Sequence, residues 1–144
     1  MNGLSDATRG VWGGGEPATN IIDFVTIAST GNASDFGDLF SGRYGVDSLA
    51  GRTRGLFTGG SNNNIMEYIT IQSTGNAIDF GDRTIADFYN GAACSPTRAV
   101  FSGDYQVVTM DAVEIMSTGN AFDFGDLTQG RLQNVGTSNG HGGL

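Results

Sequence analysis

The sequence Ser-Thr-Gly-Asn-Ala at Ser29–Ala33 decides the fold, because it is the first copy of a repeat. The pentapeptide recurs unchanged at Ser73–Ala77 and Ser117–Ala121, with a spacing of 44 residues both times. One residue after each copy comes Asp-Phe-Gly-Asp, at Asp35–Asp38, Asp79–Asp82 and Asp123–Asp126. Three copies in one register establish a tandem repeat, and such self-similarity constrains the architecture before any other feature.

A second block recurs in step with the first. It reads Thr-Arg-Gly-Val-Trp, Thr-Arg-Gly-Leu-Phe and Thr-Arg-Ala-Val-Phe, at Thr8–Trp12, Thr53–Phe57 and Thr97–Phe101. The first interval is one residue longer than the second, so the first unit carries an insertion between Trp12 and Asp23. An insertion there indicates a loop, because loops tolerate changes of length that strand pairing does not.

Each unit predicts four short β-strands and no helix. Ile65–Ile71 is rich in β-branched and aromatic residues without a helical period, and its counterparts are Ile21–Ile27 and Met110–Met116. A Thr-Gly-Asn turn and a short strand through Asp-Phe-Gly-Asp follow each run. The remaining predicted strands lie in Tyr44–Ala50, Phe88–Cys94, Arg54–Phe57 and Arg98–Phe101. The chain is therefore predicted to be all-β.

Four strands per unit at this repeat length favour a β-propeller built of four-stranded blades. One blade cannot bury both of its faces alone, so neighbouring blades must cover it. Phe36, Phe80 and Phe124 are expected to pack between blades. We interpret residues 1–144 as a single repeat domain of three units, with half-blades at both ends.

At these residues the chain resembles the kelch repeat family, whose blades carry an Arg, a diglycine after the second strand and two later aromatic residues. Arg43, Gly59-Gly60 and Tyr68 occupy the first three places, and Phe80 stands where that family usually has Trp. The resemblance implies kelch-like blades. Three positions of the third unit depart from the pattern: Asp87, Asp104 and Ala112.

The combined motif is also similar to tandem repeats in large virion-associated proteins of marine phages that infect cyanobacteria. That similarity implies a non-enzymatic structural protein of a phage tail or fibre, located on the virion or outside the cell after release. Its implied partners are copies of itself, other virion proteins or a host surface glycan, which makes a lectin-like role one expectation. The alternative is a purely architectural, self-assembling propeller that binds no small ligand.

Three units are too few to close a propeller, since propellers have about four to eight blades. We therefore expect a homodimer with six blades, in the twofold symmetry that is commonest among oligomers. The alternative is a piece of a longer repeat array.

The ends of the chain support a strand-exchange closure. The chain is predicted to begin at the second strand of a blade, near Thr8, while Arg131–Ser138 aligns with the first strand in Arg43–Ala50. Each chain would then donate its last strand to the first blade of its partner, which protects the sheet edges.

Composition argues against several classes of function. The net charge is -8, and all seven basic residues are Arg, so binding to a nucleic-acid backbone is not expected. A single cysteine, Cys94, and a single histidine, His141, do not support a disulfide framework, a zinc site or a Ser-His-Asp triad. We expect no catalytic residue, no metal and no cofactor. With no long apolar run and no secretory leader, membrane binding is not expected either.

Several motifs are better explained by local structure than by ligand binding. Asp-Phe-Gly holds magnesium in protein kinases, but here it lies in a predicted strand without the loops that accompany it there. A pair such as Asp35 and Asp38 could bind Ca²⁺, but residues three apart lie on opposite faces of a strand, so backbone capping is favoured. Gly59-Gly60 lacks a following helix and predicts a strand end with unusual φ rather than a phosphate site.

Arg9, Arg54 and Arg98 occupy one position in the three units. We expect them to pair with Asp residues between blades; the alternative is a ring of cations that binds anions along a central channel. Cys94 aligns with Ala50 and is predicted to be a small residue on a crowded strand.

The loop after the diglycine differs most among the units. Its amide and aromatic side chains are suited to hydrogen-bond or stack on a sugar. The candidate ligand-binding residues are Glu16, Asn62, Asn63, Asn64, Tyr105 and Gln106. A solvated polar loop that binds nothing explains the same residues equally well.

Overall fold

The computed structural model describes residues 2–87, 89–103, 106–131, 133–134 and 136 of the chain. These residues form twelve β-strands in three four-stranded antiparallel sheets, so the all-β prediction is confirmed. Over the same residues, no helix has the length and apolar character needed to cross a membrane.

Each repeat unit forms one sheet, with its strands adjacent in chain order. Sheet 1 contains β1 (Asn2–Ser5), β2 (Arg9–Gly13), β3 (Thr19–Thr26) and β4 (Ser34–Arg43). Sheet 2 contains β5 (Asp47–Ala50), β6 (Arg54–Thr58), β7 (Asn63–Thr70) and β8 (Ile78–Asp87). Sheet 3 contains β9 (Ala92–Cys94), β10 (Arg98–Phe101), β11 (Thr109–Glu114) and β12 (Phe122–Asp126).

The strand register repeats with the sequence. Trp12 pairs with Asp23 in sheet 1, just as the equivalent Phe57 pairs with Glu67 in sheet 2 and Phe101 pairs with Asp111 in sheet 3. The ladder between the third and fourth strands shifts register immediately before Asp23, Glu67 and Asp111. Such irregularities bend a strand and increase its twist. The three sheets therefore share one backbone plan, and contacts in one sheet predict contacts in the others.

The sheets stack in chain order, with sheet 2 in the middle. One core cluster joins sheets 1 and 2 and contains Phe36 and Phe57, and a second joins sheets 2 and 3 and contains Phe80 and Phe101. The prediction that Phe36 and Phe80 pack between neighbouring sheets is confirmed. We call the face of a sheet that points toward the next sheet in the chain its back face, and the opposite one its front face.

Sheet 2 shows why its strands are almost continuously apolar. Its front face buries Phe57 and Ile69 against sheet 1, while its back face buries Leu56 and Met66 against sheet 3. A strand that is covered on both faces has no solvent side on which polar residues would alternate.

An aromatic residue that is missing from one strand is supplied by the strand beside it. Phe24 and Tyr68 each make an edge-to-face contact with a Phe of the fourth strand in sheets 1 and 2. Sheet 3 has Ala112 at this position, and Phe122 lies directly opposite it on the neighbouring strand. Arg98 stacks 5.8 Å from the Phe122 ring, as its equivalents stack on Phe24 and Tyr68. The aromatic partner of the Arg is therefore kept although the strand that provides it differs.

The strands through Asp-Phe-Gly-Asp are longer than predicted in two sheets. β4 and β8 each have ten residues and continue to Arg43 and Asp87, whereas β12 has five. The extended segments bring Arg43 and Asp87 into the stack, where both are buried.

The prediction that the chain begins at the second strand of its first sheet is wrong. Asn2–Ser5 forms the first strand and pairs antiparallel with β2, so sheet 1 has all four strands from its own residues. The sequence Asn-Gly-Leu-Ser has no β-branched residue, which hid the strand from a propensity argument. Leu4 fixes it in place by packing over Gly55, where a side-chain Cβ would come within 2.6 Å of it.

β1 occupies the edge of sheet 1 that the predicted strand exchange would fill, and the C-terminal segment itself lies mostly outside the described residues. Residues 132, 135 and 137–144 are not described, and residues 131, 133, 134 and 136 form no strand. The backbone N–H of Gln133 donates to the carbonyl of Tyr89 at 3.0 Å, and Tyr89 donates in the same way to Gly45 at 3.1 Å. Gln133 therefore makes the same backbone contact as Tyr89, its equivalent in the segment that precedes β9.

Candidate functional site

The Ser-Thr-Gly-Asn-Ala turn of one sheet binds the Asp-Phe-Gly-Asp strand of the sheet before it. The N–H groups of Gly75 and Ala77 donate to the carbonyls of Phe36 and Asp38 at 2.7 and 2.8 Å. The N–H of Asp38 donates in return to Oδ1 of Asn76 at 3.1 Å. We call this three-bond contact the clasp. It explains why both motifs recur unchanged, since each supplies one half of it.

The same clasp joins sheets 2 and 3 with the same lengths. Gly119 and Ala121 donate to Phe80 and Asp82 at 2.7 and 2.8 Å, and Asn120 accepts from Asp82 at 3.1 Å. The Gly of the strand is needed for this approach, because a Cβ on Gly81 would lie 2.5 Å from the carbonyl oxygen of Gly119. A Cβ on Gly37 would overlap the carbonyl of Gly75 in the same way.

Two halves of this clasp are left over, at opposite ends of the stack. Ser29–Ala33 lies at the front of sheet 1, and Asp123–Asp126 forms part of β12 at the back of sheet 3. In the described part of the chain, nothing lies within 4 Å of a Cβ placed on Gly125, the equivalent of Gly81. The two unmatched halves are therefore complementary to each other.

The front face of sheet 1 exposes side chains that are buried in the other sheets. Trp12 is 38% exposed, whereas its equivalents Phe57 and Phe101 are fully buried. Ile27 is 57% exposed and its equivalent Ile71 is fully buried. The Trp12 ring lies across Gly3 and Gly10, where a Cβ would come within about 3 Å of it. This face therefore exposes one aromatic and one aliphatic side chain whose equivalents are buried in the other sheets.

The back face of sheet 3 likewise exposes a side chain that is buried in the other sheets. Phe124 is 47% exposed, whereas Phe36 and Phe80 are almost fully buried. A groove of about 270 Å³ runs along this face, lined by residues that include Val100, Met110 and Arg131. Val100 and Met110 are equivalent to Leu56 and Met66, which the back face of sheet 2 buries against sheet 3. Both open faces thus match faces that pack against each other inside the chain.

Two of the three recurrent Arg residues bind carbonyl groups and none pairs with Asp, so the predicted Arg–Asp pairing is wrong. Arg9 donates to the carbonyl of Ile71 in the next unit at 2.9 Å, and Arg54 donates to Ile115 at 3.2 Å. Arg98 is followed by no further sheet among the described residues, and it pairs with the half-exposed Glu114 of its own sheet. A planar guanidinium can stack on a ring and still direct a donor at a carbonyl, which explains this choice.

Two buried ion clusters lie between the sheets, and the sequence analysis missed them. Between sheets 1 and 2, Arg43 pairs with Glu67, which also accepts from the N–H of Phe40. Burial lowers the pKa of Arg43 and raises the pKa of Glu67, although the attraction between the two charges opposes both shifts. The only available signal was an acid at one repeat position, Asp23, Glu67 and Asp111, in otherwise apolar strands.

Between sheets 2 and 3 the cluster is arranged differently. Arg83 pairs with Asp87 at 2.7 Å and with Asp111 at 2.9 Å, and all three side chains are buried. Asn90 donates a further hydrogen bond to Asp87 at 2.6 Å. One guanidinium thus faces two carboxylates. Burial raises the pKa of Asp87 to about 6, against the attraction of Arg83.

This shift predicts a pH dependence of stability. A raised pKa means that the folded state binds the proton more tightly, so the contribution of Asp87 is largest at low pH and is lost as the pH rises through about 6. Between pH 4.5 and 7.5 we expect a loss of about 2 kcal/mol from this group. Asp87→Asn should remove that change. Urea unfolding of both proteins at both pH values tests this, and an equal pH response in the two proteins would contradict it.

The structure places the described candidate ligand-binding residues between the second and third strands of separate sheets, with Asn63 and Asn64 at the start of β7. Asn63 uses its side chain to accept from the N–H of Ile65 at 2.7 Å, and Asn64 donates to the carbonyl of Arg83 at 3.5 Å. Glu16, Asn62 and Gln106 are exposed, while Tyr105 lies outside the described residues. The loop at Ser61 rests against the connection between sheets 1 and 2, since the N–H of Ser61 donates to the carbonyl of Tyr44 at 2.9 Å.

The local explanations of the Gly and Asp motifs are confirmed. Gly59 and Gly60 have φ values of 62° and 84°, in the region that favours glycine. Asp35 caps the N–H of Gly37 at 3.1 Å, and Asp123 caps the N–H of Gly125 at 3.2 Å. Among the residues with described placement, no group of three or more His, Cys, Asp or Glu residues is arranged to hold a metal ion.

In comparisons with known proteins, neither the protein-family models nor the curated proteins give a match to the chain.

Proposed function

We propose that the chain is a non-enzymatic structural module whose partner is a second copy of itself, and that two copies close a propeller of six kelch-like blades. The observation that carries this proposal is the pair of unmatched clasp halves, Ser29–Ala33 and Asp123–Asp126. Each keeps the full motif sequence that the internal clasps use. The open apolar faces beside them support the same partner.

The internal sheet junctions specify the contacts of the proposed interface. By repeat equivalence, Gly31 and Ala33 of one copy donate to the carbonyls of Phe124 and Asp126 of the next. Asn32 accepts from the N–H of Asp126, as Asn76 and Asn120 accept inside the chain. Arg98 leaves Glu114 and donates to the carbonyl of Ile27, as Arg9 donates to Ile71.

This head-to-tail contact closes after two copies. The back of sheet 3 meets the front of sheet 1 of the partner, and a twofold axis relates the two junctions. Head-to-tail contacts form rings when the rotation closes and filaments when it does not. Six sheets lie within the range in which propellers close, so a discrete dimer is expected rather than a filament.

Mass and fluorescence in solution test the proposal together. The 15.0 kDa chain is expected to form a particle of twice that mass in light scattering and native mass spectrometry. Trp12 is the only tryptophan, and it lies in the proposed interface. Dilution should therefore shift its emission to longer wavelength as the dimer dissociates. A monomer at all concentrations, or an open-ended ladder of masses, would contradict the six-blade ring.

The location of the protein and the identity of any ligand remain predictions. A virion location, other virion partners and a host glycan rest on the resemblance of the repeats. The side chain of Asn63 is bonded to the N–H of Ile65 in its own strand, and that of Asn64 to the carbonyl of Arg83 in β8. These bonds favour the architectural alternative without a small ligand over the lectin-like one.

A further inference from the structure

The buried ion pairs differ between the two internal junctions, although the backbone plan is the same. The back face of sheet 1 carries Leu39 and Arg43, and the Arg meets Glu67. At the equivalent positions the back face of sheet 2 carries Arg83 and Asp87, and the Arg now stands at the other position and meets Asp111. The Arg of the second junction thus lies four residues earlier in the repeat than the Arg of the first junction.

The sequence that follows β12 repeats the Leu and Arg of the back face of sheet 1. Leu127 is equivalent to Leu39, and Arg131 is equivalent to Arg43. Arg131 is exposed, and it lines the groove on the open back face. The acid that would face it on the front of sheet 1 is Asp23, the equivalent of Glu67 and Asp111, which is partly exposed.

We propose that Arg131 of one copy forms a buried ion pair with Asp23 of the next at the junction between copies. The inference rests on the proposed function, because it assigns the charges of the same interface. The occupant of the open face is a second copy, since the two open faces carry the unmatched halves of the clasp that joins the sheets inside the chain.

The charges of the two faces balance. The segment with Leu127 and Arg131 offers one cation and no acid, and the front face of sheet 1 offers one acid, Asp23. Burying a charge without a partner is strongly unfavourable, so loss of either member weakens the junction.

Charge reversal tests the pair. Asp23→Arg and Arg131→Asp each place like charges opposite each other at both junctions of the dimer, and each is expected to raise the dissociation constant by at least about 100-fold. Combining both changes in one chain should restore a dimer. Asp23→Glu, which copies Glu67, should form a dimer at least as tight as the original.

Mixing the two single variants gives the sharpest result. In a mixed dimer, one junction has the original pair and the other has the reversed pair, so neither junction is repulsive. Native mass spectrometry should show the mixed dimer in excess over both dimers of a single variant. Circular dichroism of each variant checks that it is folded.

The two possible failures are distinguishable. A monomeric wild-type chain would overturn the proposed function, and the ion pair with it. A dimeric wild type whose single charge variants dissociate at unchanged concentrations, or a mixture without excess mixed dimer, would overturn the ion pair alone.

Discussion

Gly125→Ala is expected to convert the proposed dimer into a folded monomer. The clasp inside the chain explains why: at the equivalent Gly81, a Cβ would lie 2.5 Å from the carbonyl oxygen of the docked Gly119. A Cβ on Gly125 meets nothing within 4 Å in the described chain, so its clash arises only when the turn of a second copy docks. We expect the dissociation constant to rise by about two orders of magnitude, or about 2.7 kcal/mol.

A matched control separates this clash from backbone strain. Gly119 has φ 155° and Gly125 has φ 135°, both in the region that disfavours other residues, and neither has a close neighbour for a Cβ. Gly119→Ala therefore carries the strain without the clash, and it should keep the dimer. Sedimentation over a range of concentrations measures both variants. A Gly125→Ala dimer as tight as the Gly119→Ala dimer would reject the clasp as the contact between copies.

The internal clasp gives the opposite expectation for the same substitution. Gly81→Ala places its Cβ against backbone that belongs to the same chain, so the cost appears in folding rather than in association. Comparing Gly81→Ala with Gly125→Ala therefore distinguishes an interface inside the chain from one between chains.

The periodic features of the fold could be read from the sequence, and the others could not. The spacing of Ser-Thr-Gly-Asn-Ala predicted one unit per sheet, and the apolar runs located β3, β7 and β11 to within about two residues. The sequence did not predict β1, because this strand is stabilised by its pairing with β2 and by the packing of Leu4 on Gly55 rather than by β-propensity. Tertiary contacts of this kind leave no local pattern.

The contacts between sheets were not among the predicted site residues, for a related reason. Variability among the units drew attention to the loops at Glu16 and Asn62, because invariant positions were attributed to the sheet itself. In the structure the invariant motifs make the contacts between sheets, and so they also mark the open ends. The Arg–acid clusters were hidden because Arg83 and Arg43 occupy different repeat positions, and only the stacking brings each to its acid.

Arg83→Leu is expected to lower the unfolding free energy by about 3–5 kcal/mol at pH 7.5, because it leaves Asp87 and Asp111 buried without a cation. The measurement belongs in the Gly125→Ala background, where association does not contribute. Arg98→Leu serves as the control. Its ion pair with Glu114 is about half exposed, so its loss should cost less than about 1 kcal/mol.

A second change should rescue the first. Adding Asp87→Arg to Arg83→Leu recreates the Leu39 and Arg43 arrangement of sheet 1, with the new Arg facing Asp111 as Arg43 faces Glu67. We expect at least half of the lost stability to return. Full recovery is not expected, because Asn90 loses its acceptor on Asp87. If the double variant is no more stable than Arg83→Leu alone in urea unfolding, the two ion arrangements are not interchangeable solutions of one junction, and repeat equivalence would cease to justify placing Arg131 opposite Asp23.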